Sequence, residues 1–140
     1  MKKNDPIKSI MSDELKFARP DQSFSSVKSM MEEFKIHHVP VVEGESIVGI
    51  ISRLDILKYS HSQEYIRDGN IDGDLDKFVK IDKLMTKNPV TLKSTDTIKH
   101  AVEILINNSF NSIPVVEGDG QKLVGIITTK DIMTYLIHQY

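Results

Sequence analysis

The chain has no cysteine, no tryptophan and few aromatics of any kind, 6% in all. Without cysteine there is no disulfide scaffold, no thiolate zinc site and no cysteine nucleophile, and a reducing compartment fits. No apolar run approaches the roughly 18 residues of a membrane-spanning helix. The N-terminus, MKKNDPIKSIMSDELK, breaks into Asn, Asp and Pro where a signal peptide needs its apolar centre, so the expected address is the cytoplasm. A basic excess is also missing. Lys plus Arg number 18 against 20 Asp plus Glu, a net charge of -2, which argues against a nucleic-acid or membrane-surface partner. What is present is ordinary globular material: 140 residues, 39% hydrophobic and 27% charged, enough for one domain or two small halves sharing a core.

The chain repeats itself. Ile36-His37-His38-Val39-Pro40-Val41-Val42-Glu43-Gly44 returns as Phe110-Asn111-Ser112-Ile113-Pro114-Val115-Val116-Glu117-Gly118, a shift of 74. Ile7 and Met11 stand in the same relation to Ile81 and Met85. Two extra residues in the following loop of the second copy bring Val48-Gly49-Ile50-Ile51-Ser52-Arg53-Leu54-Asp55 onto Val124-Gly125-Ile126-Ile127-Thr128-Thr129-Lys130-Asp131 at a shift of 76. The expected organisation is a first unit over 1–59, an acidic linker over 60–80 and a second unit over 81–140.

Each half carries the same order of elements. Val27, Met30, Met31 and Phe34 recur at the spacing of one helix face, with Lys28, Ser29, Glu32 and Glu33 opposite. Ile98, Ala101, Val102, Leu105 and Ile106 do the same after Thr95-Asp96-Thr97, residues suited to an N-cap. His38 to Val42 and Ile47 to Ser52 read as paired strands around a glycine turn. Pro40 and Pro114 place the first of these strands at an edge, or mark a strand start, because proline donates nothing to a ladder. A second helix follows from Arg53 to Tyr59 and from Thr129 to Tyr135. The expected fold class is therefore α/β (α+β), two β-α-β-β-α units related by a pseudo-twofold and packed as a pair.

The doubled P-V-V-E-G and V-G-I-I-[ST]-x-x-D segments, with the Ile-x-x-[Ile/Leu]-Met openings at Ile7–Met11 and Ile81–Met85, resemble the paired cystathionine β-synthase (CBS) domain, or Bateman module. The resemblance implies two units stacked through their strands, two clefts, and adenosine nucleotides as ligands. Such a ligand needs a carboxylate for the ribose hydroxyls, donors at a helix N-terminus for the phosphate and an apolar slot for the base. Asp55 and Asp131, three residues after Ser52 and Thr128, sit where a helix begins. The same spacing is also how a helix caps itself, and the two readings are compatible. Carried over by position, the resemblance places His37 and His38 with Thr128, Thr129, Lys130 and Asp131 in one cleft. Asn111 and Ser112 join Ser52, Arg53 and Asp55 in the other. The base is expected among Val90, Thr91, Ile113 and Ile126 in the first and among Lys16, Phe17, Val39 and Ile50 in the second. Histidine titrates near about pH 6.5, so the first cleft is expected to gain partial positive charge at neutral pH and to hold a charged nucleotide more tightly.

The linker contains Asp68, Asn70, Asp72, Gly73 and Asp76, which match positions 1, 3, 5, 6 and 9 of a calcium-binding EF-hand loop. Position 12 is Val79 rather than the bidentate Glu, so the expectation is an acidic linker with no metal site. No nucleophile–base pair, phosphate-cradling glycine loop or His-x-x-x-His pair is present, and no enzyme or cofactor is expected. Two functions remain. One is a regulatory module sensing AMP, ADP or ATP and acting, as a homodimer, on a separate protein partner; the other is a ligand-free dimerisation or docking module.

Overall fold

The computed structural model describes residues 4–64 and 79–140. The described α-helices are α1 (Phe24–Phe34), α2 (Arg53–Glu64), α3 (Ile98–Asn107) and α4 (Thr129–Ile137). The strands are β1 (His38–Glu43), β2 (Ser46–Ser52), β3 (Thr86–Lys87), β4 (Leu92–Lys93), β5 (Ser112–Glu117) and β6 (Lys122–Thr128). No helix among the described residues is long and apolar enough to cross a membrane. The second helix of the first half runs on past Tyr59 to Glu64, into what the sequence suggests is linker. The calcium-like run Asp68–Asp76 lies outside the described residues.

Two compact units form. The α1 unit holds Lys16–Gly44 and the chain from Val48 to Asn88. The α3 unit holds the opening segment through Leu15, Glu45–Ile47 and Pro89–Tyr140. The packing units therefore exchange their opening segments relative to the repeat. Ile7 is fully buried with Leu92, Ile98, Ala101, Ile113 and Ile127, all from the second half. Ile81 is buried with Phe24, Val27, Val39, Ile51 and other residues of the first. The hydrogen bonds repeat in the same crossed sense. Ile7 N–H donates to Asp96 O at 2.8 Å in one unit, and Ile81 N–H donates to Gln22 O at 3.0 Å in the other. A short bridge follows in each, Ser12 with Ile126 and Thr86 with Ile50.

In the α3 unit the β-α-β-β-α order is complete. β4 runs parallel to β5 through Leu92 and Val115, and β5 is antiparallel to β6 from Ser112–Thr128 to Glu117–Lys122. In the α1 unit the opening strand shrinks to a single parallel bridge between Ala18 and Val41. Pro114 thus lies inside a strand flanked on both sides, not at an edge. β4 meets β5 only at Val115 and Val116, so the missing N–H at Pro114 falls outside that ladder. Pro40 lies in β1, which stands at the edge as expected, with only the Ala18 bridge on its outer side. Its carbonyl accepts from Ala18 N–H at 2.9 Å, and its absent donor faces that same single-bridge side. The turns leaving β1 and β5 need Gly44 and Gly118, both at positive φ, 60° and 74°.

The helices start where hydroxyls wait for them. Ser23 Oγ accepts from Ser26 N–H at 3.2 Å to begin α1, and Thr97 Oγ1 accepts from His100 N–H at 3.1 Å to begin α3. α1 buries Phe24, Val27 and Met31 and ends at Lys35, whose left-handed backbone (φ 55°) closes the last turn on Met31 O. α3 buries Ile98 and Ala101 and leaves Ile106 exposed.

Candidate functional site

β2 and β6 each end in a hydroxyl residue that turns the chain into a helix. At the start of α2, Ser52 N–H donates to Asp55 Oδ2 at 2.9 Å and Asp55 N–H donates to Ser52 Oγ at 3.1 Å. At the start of α4, Thr128 N–H donates to Asp131 Oδ2 at 2.8 Å, Asp131 N–H donates to Thr128 Oγ1 at 3.2 Å, and the hydroxyl lies 3.0 Å from the same Oδ2. Both aspartates therefore complete a reciprocal capping box. Both boxes use Oδ2, which keeps Oδ1 outside them, and both carboxylates are half-buried.

The residue that leads into β1 or β5 is tied to the same helix start. Arg53 N–H donates to His37 O at 2.7 Å, and Thr129 N–H donates to Asn111 O at 3.0 Å. Each unit thus gathers one set of predicted residues by itself: His37, His38, Ser52, Arg53 and Asp55 in the α1 unit, and Asn111, Ser112, Thr128, Thr129 and Asp131 in the α3 unit. Each of the clefts expected from the resemblance draws on both sets. Lys130 is exposed in the first turn of α4, and Ser112 is buried at 6% exposure.

His38 departs from expectation in its charge. Burial lowers its pKa below the usual 6.5, the neighbouring His37 lowers it further, and the Asp55 carboxylate only partly opposes them. Desolvation outweighs one half-buried carboxylate, so the partial positive charge expected at this position is diminished.

The residues expected around a base divide by burial. Val39 and Ile113 have no exposed surface and belong to the two cores, so burial removes both from the set of residues a base could touch. Ile50, Ile126 and Thr91 are half-buried. Val90 and Phe17 are exposed, at 47% and 44%. Lys16 places its ammonium 4.3 Å from the centre of the Phe34 ring, and Arg19 lies over Phe17.

The sequence reading missed a cavity of about 370 Å³ in the α1 unit, where the end of α1 meets the beginning of α2. Lys28, Glu32, Lys35, His37 and Arg53 line it, over a wall of Met31, Ile56 and Leu57. Lys28, Glu32 and Lys35 follow i, i+4, i+7 spacing, a signal visible in the sequence but indistinguishable there from a solvated helix face.

Comparison with known proteins now bears on this arrangement. The family model for the CBS domain matches residues 7–62 and 81–138. The chain belongs to the CBS domain family, and these residues form a CBS pair. Among curated sequences, it is 29% identical over 121 residues to the uncharacterized protein MJ1225 of Methanocaldococcus jannaschii, covering 84% of this chain and 42% of that protein. It is 33% identical over 118 residues to the inosine-5'-monophosphate dehydrogenase of Halalkalibacterium halodurans, covering 83% of this chain and 21% of the enzyme. The chain thus spans less than half the length of these relatives. With the dehydrogenase it shares only a CBS-domain stretch, about a fifth of that enzyme's length. Among solved structures, MJ1225 superposes with a TM-score of 0.83 at 26% identity, over 97% of this chain and 49% of that one. The CBS pair of protein MJ0100, in complex with 5'-methylthioadenosine and S-adenosyl-L-methionine, gives 0.79 at 25% identity over 96% and 98%. CBSX2, in complex with AMP, shares the fold at 0.80 and 23% identity, over 96% of this chain and 98% of that one.

Proposed function

We propose that this CBS pair is a regulatory module that senses an adenosine nucleotide of the AMP, ADP or ATP type. The observation that carries the reading is the doubled Ser/Thr-x-x-Asp box. In each, one carboxylate oxygen caps the helix and the other is outside the cap, beside a helix N-terminus suited to a phosphate. The MJ0100 pair, with its adenosyl ligands, supports the ligand class. In this reading Asp55 and Asp131 accept ribose hydroxyls, Ser52, Arg53, Thr128, Thr129 and Lys130 meet phosphate, and Phe17, Ile50, Val90, Thr91 and Ile126 contact the base.

The module acts on a separate protein, in the cytoplasm, as a homodimer. Leu54 and Leu57 on α2 and Met133 and Ile137 on α4 are about half exposed or more, which supports a covered helical face in an assembly. The ligand shifts the state presented to the partner only by its differential affinity for two shapes.

A ligand-free docking module is the second reading, favoured by the completeness of both capping boxes. Titration calorimetry against AMP, ATP and S-adenosylmethionine separates the two. Saturable heat with one of them, lost in Asp131→Ala or Asp55→Ala, supports the sensor; silence from all three at millimolar concentration leaves the docking module.

A further inference from the structure

The cavity of the α1 unit concentrates positive charge in a chain whose net charge is -2. Its cations come from three places: Lys28 on α1, Lys35 on the left-handed residue that ends α1, and Arg53 on the first residue of α2. Among the described residues Glu32 is the one carboxylate lining it, and His37 adds an imidazole. The Lys28 ammonium also lies 6.0 Å from the Phe24 ring centre, which limits its range. Met31 and Ile56 are nearly fully buried, so the apolar wall is fixed and lowers the local dielectric. The dipole of the twelve-residue α2 points its positive end at the same space.

This charge is not a feature of the repeat. At the equivalent positions the α3 unit has Val102 for Lys28, Ser109 for Lys35, Asn111 for His37 and Thr129 for Arg53. Glu32 is matched by Ile106, so each of these five ionisable positions has a neutral counterpart. Lys130 stands at the position of Leu54, which does not line the cavity. The fold needs none of these charges, since one copy is built without them. A role confined to the α1 unit is left, and its chemistry is anionic.

We propose that this cavity binds a phosphate chain: the di- or triphosphate of a nucleotide, or free inorganic polyphosphate. Cations on three elements around a volume within the usual range for ligand sites, roughly 300–1,000 Å³, suit an anion with charge along its length better than a single phosphate. Lys and Arg at such spacing neutralise successive phosphoryl groups. Lys28, Glu32 and Lys35 take no part in the adenosine reading, so either reading can fail without the other.

The test is calorimetry of the whole chain with inorganic tripolyphosphate, AMP and ATP at low ionic strength. Wild type is compared with Lys28→Gln/Lys35→Asn; Asn tolerates the left-handed backbone at position 35. The single Lys35→Asn variant covers the case in which the double variant does not fold. Saturable tripolyphosphate binding, weakened at least tenfold in the double variant and at least threefold in the single one with AMP affinity unchanged, supports the site. Shifts of the Ile56 and Leu57 methyl resonances on titration would locate it. ATP weakened in parallel identifies a nucleotide tail as occupant, whereas ATP unchanged with tripolyphosphate weakened identifies free polyphosphate. No saturable tripolyphosphate binding at millimolar concentration, or equal binding by wild type and variants, overturns the proposal. Silence from AMP, ATP and S-adenosylmethionine alongside tripolyphosphate binding sinks the adenosine reading and leaves this one standing.

Discussion

The α1 and α3 units are built from one pattern and differ in what they do with its polar positions. Both bury an isoleucine from an exchanged opening segment, both start a helix with a hydroxyl cap, and both open the second helix with a Ser/Thr–Asp box. Beside that box, the α1 unit places two histidines, an arginine and two lysines; the α3 unit places an asparagine, serines, a threonine and a valine. The shared positions are the ones that folding constrains, and the divergent ones lie on surface left free to acquire chemistry.

The comparison breaks most forcefully in the cores. Phe24 and Ile98 occupy equivalent positions, 0% and 4% exposed, and Phe24 also packs its ring 5.8 Å from that of Tyr59. Phe24→Ala is expected to cost about 3–5 kcal/mol and Ile98→Ala about 2–5 kcal/mol, measured by urea denaturation. Equal losses would show that the aromatic contact adds nothing.

Next come the glycines under the methionines. A Cβ at Gly49 would strike the Met85 side chain and also the carbonyl of Thr86; at Gly125 the three atoms it would meet first all belong to the Met11 side chain. Gly49→Ala should therefore cost more than Gly125→Ala, within about 1–3 kcal/mol. Shortening Met11 to Ala should rescue Gly125→Ala more completely than Met85→Ala rescues Gly49→Ala, because a side chain moves aside more readily than a carbonyl. Thermal denaturation of the four single and double variants reads the order directly.

The caps sharpen the comparison. Asp131 makes one more polar contact within its box than Asp55, so Asp131→Ala should lose slightly more stability, each about 1 kcal/mol. A free-protein melting temperature unchanged in both variants would show that the boxes contribute nothing to stability.

The smallest effect is the pH dependence of the α1 unit. His38 has a lowered folded pKa, so the unfolded chain binds its proton more readily. Stability from this group is full above about pH 6.5 and falls as the pH drops through 6.5 toward the folded value. The equivalent residue in the α3 unit is Ser112, which does not titrate. His38→Ser should flatten the melting temperature between pH 7.5 and 5.5, and an unaltered slope would assign the effect to another group.

Much of this was legible from the chain alone. The repeat, the helix faces led by Val27 and Ile98, the paired strands and the Ser/Thr-x-x-Asp boxes are local patterns, in which periodicity and capping chemistry act over a few residues. The length of α2 was not legible, because the polar residues after Tyr59 suit a helix and a linker equally. Nor was the burial of Val39 and Ile113, since an apolar strand residue reads the same whether it faces a core or a ligand.

The sequence by itself determined the family pattern, the order of elements and the places where helices begin. Only the tertiary structure decided that Ile7 and Ile81 pack in the opposite halves, that burial lowers the pKa of His38, and that Lys28, Lys35 and Arg53 line one cavity. Each depends on which distant segments meet and how much water they exclude, and neither quantity is encoded in the spacing of neighbouring residues.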